Sequence, residues 1–138
     1  MRSETVKALA AECGFDLAGV ASAEPLADFA RYQEWLAAGL AGEMSYLSGR
    51  RGALRADPRL LLPAVRSVIC VGKLYQAEGE TRGIARHARG EDYHRVMRRG
   101  LERLVERLRD AGIGPFEWRI CVDTAPLLER SYARRAGL

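Results

Sequence analysis

The chain has 138 residues, 48% of them hydrophobic, and a formal net charge of +4 from 22 Lys and Arg against 18 Asp and Glu. That length suits one domain with a real core, and no apolar run approaches the roughly 20 residues of a membrane helix. Met1-Arg2-Ser3-Glu4 leads into an amphipathic pattern rather than the apolar centre of a signal peptide, so a soluble cytoplasmic protein without a membrane partner is expected.

Val6, Leu9, Ala10 and Cys13 recur at helical spacing, which predicts an amphipathic helix opened by Ser3 and closed by Gly14. Phe15 to Ser22 reads as a strand. Pro25 opens a second helix with Leu26, Phe29, Leu36 and Leu40 on one face. Gly42 to Leu47 is a short helical turn, and a basic loop with Arg50, Arg51 and Arg55 then runs to Asp57-Pro58. Arg59 to Leu62 makes another turn, stopped by Pro63. Ser67 to Val71 is apolar on both faces, the pattern of a central strand in a covered sheet. Gln76 to Gly90 is a polar connection rich in Gly and Arg, of a length usually reserved for functional or disordered loops. Met97, Leu101, Leu104, Val105, Leu108 and Ala111 then form one helical stripe, ended by Gly112.

Trp118, Ile120 and Val122 alternate with Glu117, Arg119 and Cys121, which predicts a strand. Pro126 suits a helix's first turn, and the final helix carries Leu127, Leu128 and Tyr132 before a Schellman-type exit with Gly137 at C′. Asp123 therefore stands at the carboxyl end of a strand, facing a helix N-terminus, where open α/β sheets bind ligands. The same position equally suits a cap, with Asp123 or Thr124 accepting from the helix amides. Spacing alone leaves both readings open.

Cys13, Cys70 and Cys121 are scattered and form no C-x-x-C pair, so this stretch carries neither a zinc knuckle nor an iron–sulfur ligand run, and no metal site is expected. Cys70 reads as core filling in an apolar strand. Gly112-Ile113-Gly114 lacks a third glycine and precedes a strand, so it is no dinucleotide loop. Asp92-Tyr93-His94 approaches the D-x-H-x-x-G pattern by which some cobalamin enzymes ligate cobalt, but Met97 takes the glycine position. His94 is expected to project from a helix's first turn beside the loop that holds His87. Arg82, Arg86, Arg89, Arg95, Arg98 and Arg99 make a second basic cluster, which attracts phosphate and moves the reading slightly toward nucleic acid.

Several ordered segments together resemble the N-terminal domain of the epoxyqueuosine reductases. They are Gly42-Glu43-Met44 with Tyr46-Leu47, Arg55 with Asp57-Pro58-Arg59, Leu61 and Pro63, and Ser67-Val68-Ile69. Next come Gly83-Ile84-Ala85-Arg86 with Ala88-Arg89-Gly90 and Asp92-Tyr93-His94, then Val122-Asp123-Thr124-Ala125-Pro126-Leu127-Leu128-Glu129-Arg130, and last Arg135-Ala136-Gly137-Leu138. The resemblance implies a nitroreductase-like α/β fold, a single domain over residues 1–138 with a small mixed sheet flanked by helices. It implies a cobalamin-dependent oxidoreductase that reduces epoxyqueuosine to queuosine in tRNA. Asp123 would be the catalytic general acid and would face the cofactor, Arg55 and Ala85 would contact cobalamin, and Arg130 would touch the tRNA. His87 departs from the tyrosine usual in that loop. The [4Fe–4S] clusters of the family belong to a downstream domain absent from this stretch, so a fragment is expected that is inactive without an electron donor, and a monomer.

Two rivals remain from other classes: a non-catalytic corrinoid- or tRNA-binding module in which Asp123 only caps a helix, and a corrinoid or flavin reductase with a small-molecule substrate.

Overall fold

The computed structural model describes residues 3–75, 83, 85, 90–112 and 114–138. Helix α1 spans Ser3–Glu12, strand β1 Leu17–Ser22, α2 Asp28–Ala37, α3 Gly49–Ala53, β2 Ser67–Gly72, α4 Tyr93–Asp110 and α5 Glu129–Arg135. Short 3₁₀ turns occupy Ser45–Leu47, Leu54–Ala56 and Pro58–Leu60. The strands β1 and β2 form a two-stranded sheet. Their sense is antiparallel, so the mixed sheet expected is corrected to a two-stranded antiparallel one: the Asp16 N–H meets the Gly72 carbonyl at 2.9 Å, and the Ala23 N–H meets the Arg66 carbonyl at 3.0 Å. The chain divides into two compact units, one of residues 1–19 and 71–116, the other of residues 20–70 and 117–138.

In the first unit the expected stripe is the buried face of α1. Val6, Ala10 and Cys13 are buried, as are Leu104 and Leu108 of α4. Gly100 of α4 lies against the Phe15 ring, so close that a Cβ there would stand 2.7 Å from Cζ. Asp92 caps α4 through its side chain, which accepts from the His94 N–H at 3.0 Å. His94 does project from the helix's first turn, its Nδ1 at 2.8 Å from Asp92 Oδ1 and its ring stacked on Tyr93. Arg103 donates to the Cys13 carbonyl at 3.2 Å, and Arg107 pairs with Glu12.

In the second unit Tyr132 of α5 is 1% exposed, and its hydroxyl donates to the Glu24 carbonyl at 2.8 Å. A buried phenol that keeps its hydrogen bond gains apolar contact without an unsatisfied polar atom. Arg135 donates to the Glu24 and Pro25 carbonyls at 2.6 and 3.2 Å, and Arg134 pairs with Asp28 at 3.0 Å. The exit from α5 is the expected Schellman motif: the Leu138 N–H bonds the Ala133 carbonyl at 3.0 Å, the Gly137 N–H bonds the Arg134 carbonyl at 3.1 Å, and Gly137 has φ of 86°.

Several expectations are corrected. The alternating stretch from Glu117 to Val122 forms no strand; it runs without regular structure, with Arg119 donating to the Leu61 carbonyl at 3.3 Å. Alternation marks which side chains face inward, but a strand also needs a neighbouring backbone in register. The covered central position expected for β2 is likewise not seen, since in a two-stranded sheet each strand is an edge and the β2 residues after Ser67 are only half-buried. The helix expected from Pro25 begins at Asp28 and ends at Ala37, leaving Leu40 beyond it and 62% exposed. The basic loop before Asp57 contains helix α3, and the last helix begins at Glu129, not Pro126. His87 and the arginines 82, 86 and 89 lie outside the described residues. No helix among the described residues is long and apolar enough to cross a membrane.

Candidate active site

Asp123 occupies the centre of a three-residue turn. The Thr124 N–H closes onto the Val122 carbonyl at 2.5 Å, and Asp123 has φ of 53°, alone among the described non-glycine residues in being positive. Closure from one residue to the second after it, around a positive φ, is the rare and strained form of the γ-turn. A side chain held in such a conformation costs on the order of 1–3 kcal/mol and persists only where its surroundings over-determine it. Aspartate bears this better than most residues, because a short polar side chain can bond locally.

The surroundings are on hand. The Arg51 Nη2 donates to the Thr124 carbonyl at 2.7 Å. The Leu127 N–H bonds the Ala125 carbonyl at 2.8 Å, a second tight turn with the buried Pro126 at its centre. Asp123 itself is exposed.

The cap reading of this segment is corrected. The cap position of α5 is held by Leu128, and no side chain caps the helix. The Thr124 hydroxyl donates to the Val122 carbonyl at 3.4 Å instead. Two consecutive tight turns use up the residues between Asp123 and the helix, so its amides are out of the register a cap requires.

Glu129, the first residue of α5, is half-buried, and its Oε1 is buried without a hydrogen-bond partner among the described residues. Burial, and after it the negative charge of Asp123, raise the Glu129 carboxyl above the ordinary glutamate range; the Asp123 N–H and Arg55 pull the other way without prevailing. The Cys70 thiol of β2 is pushed up to about 11, first by burial and then by the Glu129 charge. It therefore stays protonated at neutral pH, as core filling would.

Arg55 is 7% exposed, its guanidinium 5.5 Å from the centre of the Tyr32 ring and donating to the Arg51 carbonyl at 3.3 Å. Arg130 follows Glu129 in the first turn of α5, is exposed, and makes no ion pair among the described residues. Ala85 is exposed and belongs to the first unit. The structure thus gathers Asp123, Glu129, Arg55 and Cys70 into one electrostatic neighbourhood. Glu129 is the member that sequence reasoning missed. Its only signal is a second acid just downstream of the first, and no helical or strand period links the two across tight turns.

The frame around this site is shared with solved reductases. A selenomethionine-labelled epoxyqueuosine reductase superposes with a TM-score of 0.78 at 25% identity, over 97% of this chain and 38% of that one. An epoxyqueuosine reductase solved with a tRNA-Tyr epoxyqueuosine-modified stem loop gives a TM-score of 0.77 at 24% identity, over 96% and 37%. In sequence, the epoxyqueuosine reductase of Xanthomonas campestris pv. campestris is 39% identical over 144 residues, which span 96% of this chain and 40% of that protein. A family model described as epoxyqueuosine reductase QueG, DUF1730, matches residues 55–124. The chain belongs to the epoxyqueuosine reductase family, and it spans about two fifths of the length of such relatives.

Proposed function

We propose that this chain is the acid-bearing, tRNA-facing part of an enzyme that reduces epoxyqueuosine to queuosine in tRNA. The observation that carries the reading is the strained, exposed placement of Asp123, on a turn held by Arg51. Removing an epoxide oxygen to leave an alkene consumes an electron pair and a pair of protons and releases water. The leaving oxygen has to be protonated, and an exposed carboxyl group on a fixed turn is suited to that work. General acid help of this kind is typically worth about 10²–10⁴-fold.

The residues fit the cobalamin that the family resemblance implies. A corrin rim carries amide side chains that donate hydrogen bonds, and Glu129 Oε1 is a buried acceptor without a donor among the described residues. Asp123 and Arg55, both of the second unit, would hold the cofactor, which when bound supplies the electron pair. Arg130, exposed on α5, would meet a tRNA phosphate. The electrons would come from a donor beyond this stretch.

The test is turnover of epoxyqueuosine-tRNA by the complete protein supplied with reduced cobalamin. Asp123→Asn should lower the rate by about 10²-fold or more, the scale of a lost general acid. Undiminished turnover in that variant would remove Asp123 from the chemistry.

A further inference from the structure

We propose that Tyr46 and Arg50 form a grip for single-stranded RNA: the Tyr46 ring stacks on an unpaired base flanking the epoxyqueuosine nucleotide, and Arg50 meets a phosphate beside it. The inference rests on the tRNA-facing reading given above and deepens it, by naming the residues that hold the loop rather than the reacting base.

Three large apolar side chains stand exposed between positions 40 and 46: Leu40 at 62%, Met44 at 41% and Tyr46 at 53%. One such residue is ordinary on a surface, whereas a run of them marks a binding face. Tyr46 makes no hydrogen bond or ring contact among the described residues.

The presentation is built into the backbone. Gly39, with φ of 71°, ends α2 in a Schellman motif: the Leu40 N–H bonds the Trp35 carbonyl at 3.3 Å, and the Gly39 N–H bonds the Leu36 carbonyl at 3.0 Å. In that motif the hydrophobic residue after the glycine frequently packs back on the helix, yet Leu40 stays exposed. Ala41 is buried and pins the chain on one side of the Ser45–Leu47 turn. On the other side the Leu47 carbonyl accepts from the Tyr32 hydroxyl and lies against Gly52 of α3. Tyr46 thus projects from backbone fixed before and after it, which lowers the entropy lost when a ligand is held.

The chemistry selects RNA over an apolar protein partner. Between Leu40 and Ala56 one acid, Glu43, stands against Arg50, Arg51 and Arg55. An exposed aromatic ring with a nearby arginine suits an unpaired nucleotide, the ring meeting the base and the guanidinium the phosphate. The location agrees. Tyr46 precedes Arg51 by five residues. That separation is about 18 Å at full stretch, and less through the turn and helix between them. Arg51 is the residue bonded to the Thr124 carbonyl beside Asp123, and all of these residues belong to the second unit. A loop whose modified nucleotide meets Asp123 therefore has its neighbours within reach of Tyr46.

The experiment measures binding apart from chemistry. The complete protein is titrated, by fluorescence anisotropy, against a labelled RNA stem loop carrying epoxyqueuosine and against a blunt RNA duplex of the same length. Tyr46→Ala and Tyr46→Leu should each weaken loop binding by about tenfold or more, the scale of one lost stacking contact, without a matching loss on the duplex. Arg50→Ala should lower the slope of log affinity against log salt by about 0.7–1, the signature of one phosphate contact, and Tyr46→Leu should leave that slope in place. In turnover of epoxyqueuosine-tRNA the Tyr46 losses should appear in KM rather than kcat. Leucine keeps apolar surface and removes the π-face. Loop binding kept in Tyr46→Leu and lost in Tyr46→Ala would therefore overturn stacking in favour of a plain apolar contact. Loop binding unmoved in Tyr46→Ala, or a salt slope unmoved in Arg50→Ala, would overturn the grip while the tRNA-facing reading stands. A parent protein that binds neither RNA would remove both.

Discussion

Arg51 and Thr124, 73 positions apart in the chain, are joined by a 2.7 Å hydrogen bond from the guanidinium to the backbone carbonyl. The bond ties helix α3 to the turn that presents Asp123. An acceptor on the backbone binds the turn regardless of the side chains it carries. In Arg51→Ala the turn loses that outside bond while Asp123 keeps its chemistry, so kcat should fall by about tenfold, less than the loss for a displacement of about 1 Å. Steady-state kinetics in the complete protein measure this, and an unchanged kcat would show that the turn stands without Arg51.

Asp123→Gly separates the strain from the chemistry. Glycine adopts positive φ without steric penalty but loses more entropy on folding, so the two effects nearly cancel and stability should change by less than about 1 kcal/mol. Turnover should nevertheless fall by about 10²-fold or more. Denaturant midpoints and rates measured side by side distinguish this from a structural aspartate, whose loss would lower both.

Glu129→Gln should alter how stability depends on pH. Glu129 binds its proton more tightly folded than unfolded, because its folded pKa is raised. The stability this contributes is fully present below the ordinary glutamate value of about 4.3, and it is lost as pH rises through the raised folded value. Glutamine does not ionise, so the variant keeps its stability across that window. Its denaturant midpoint relative to the parent should therefore climb as pH goes from about 4 to about 7. A difference that is flat with pH would mean the carboxyl group is solvated in the native state.

Gly52→Ala opposes two effects of known size. Alanine in a helix gains about 1 kcal/mol over glycine. Here, however, the added Cβ would stand 2.5 Å from the Leu47 carbonyl oxygen, which also accepts from the Tyr32 hydroxyl. Overpacking typically costs about 1–3 kcal/mol, and a backbone oxygen cannot swing aside as a side chain can. The clash should win, with a net loss of about 1 kcal/mol or more seen in the denaturant midpoint. Since Gly52 lies between Arg51 and Arg55, turnover should decline with it.

Much of the frame was legible before any coordinates. The stripe from Val6 to Cys13, the apolar strand at Ser67, the long stripe of α4 and the Schellman exit at Gly137 all appear where periodicity and capping chemistry put them. These features are local, fixed by which side chains recur every turn or every second residue and by the one residue that takes positive φ easily. The ordered motifs likewise pointed to Asp123 and to the family.

What the linear order could not decide was everything that depends on a distant backbone. Trp118 to Val122 alternates as a strand does, yet among the described residues no partner strand lies in register beside it, and pairing, not alternation, makes a strand. Whether Asp123 caps a helix or stands clear of one turned on where α5 begins, and two tight turns at Asp123 and Pro126 delay it to Glu129. The approach of Arg51 to Thr124, and the burial that lifts Glu129 beside Asp123, exist only once separate segments are packed together. Packing sets electric fields and hydrogen-bond partners through distances in space, which spacing along the chain does not encode.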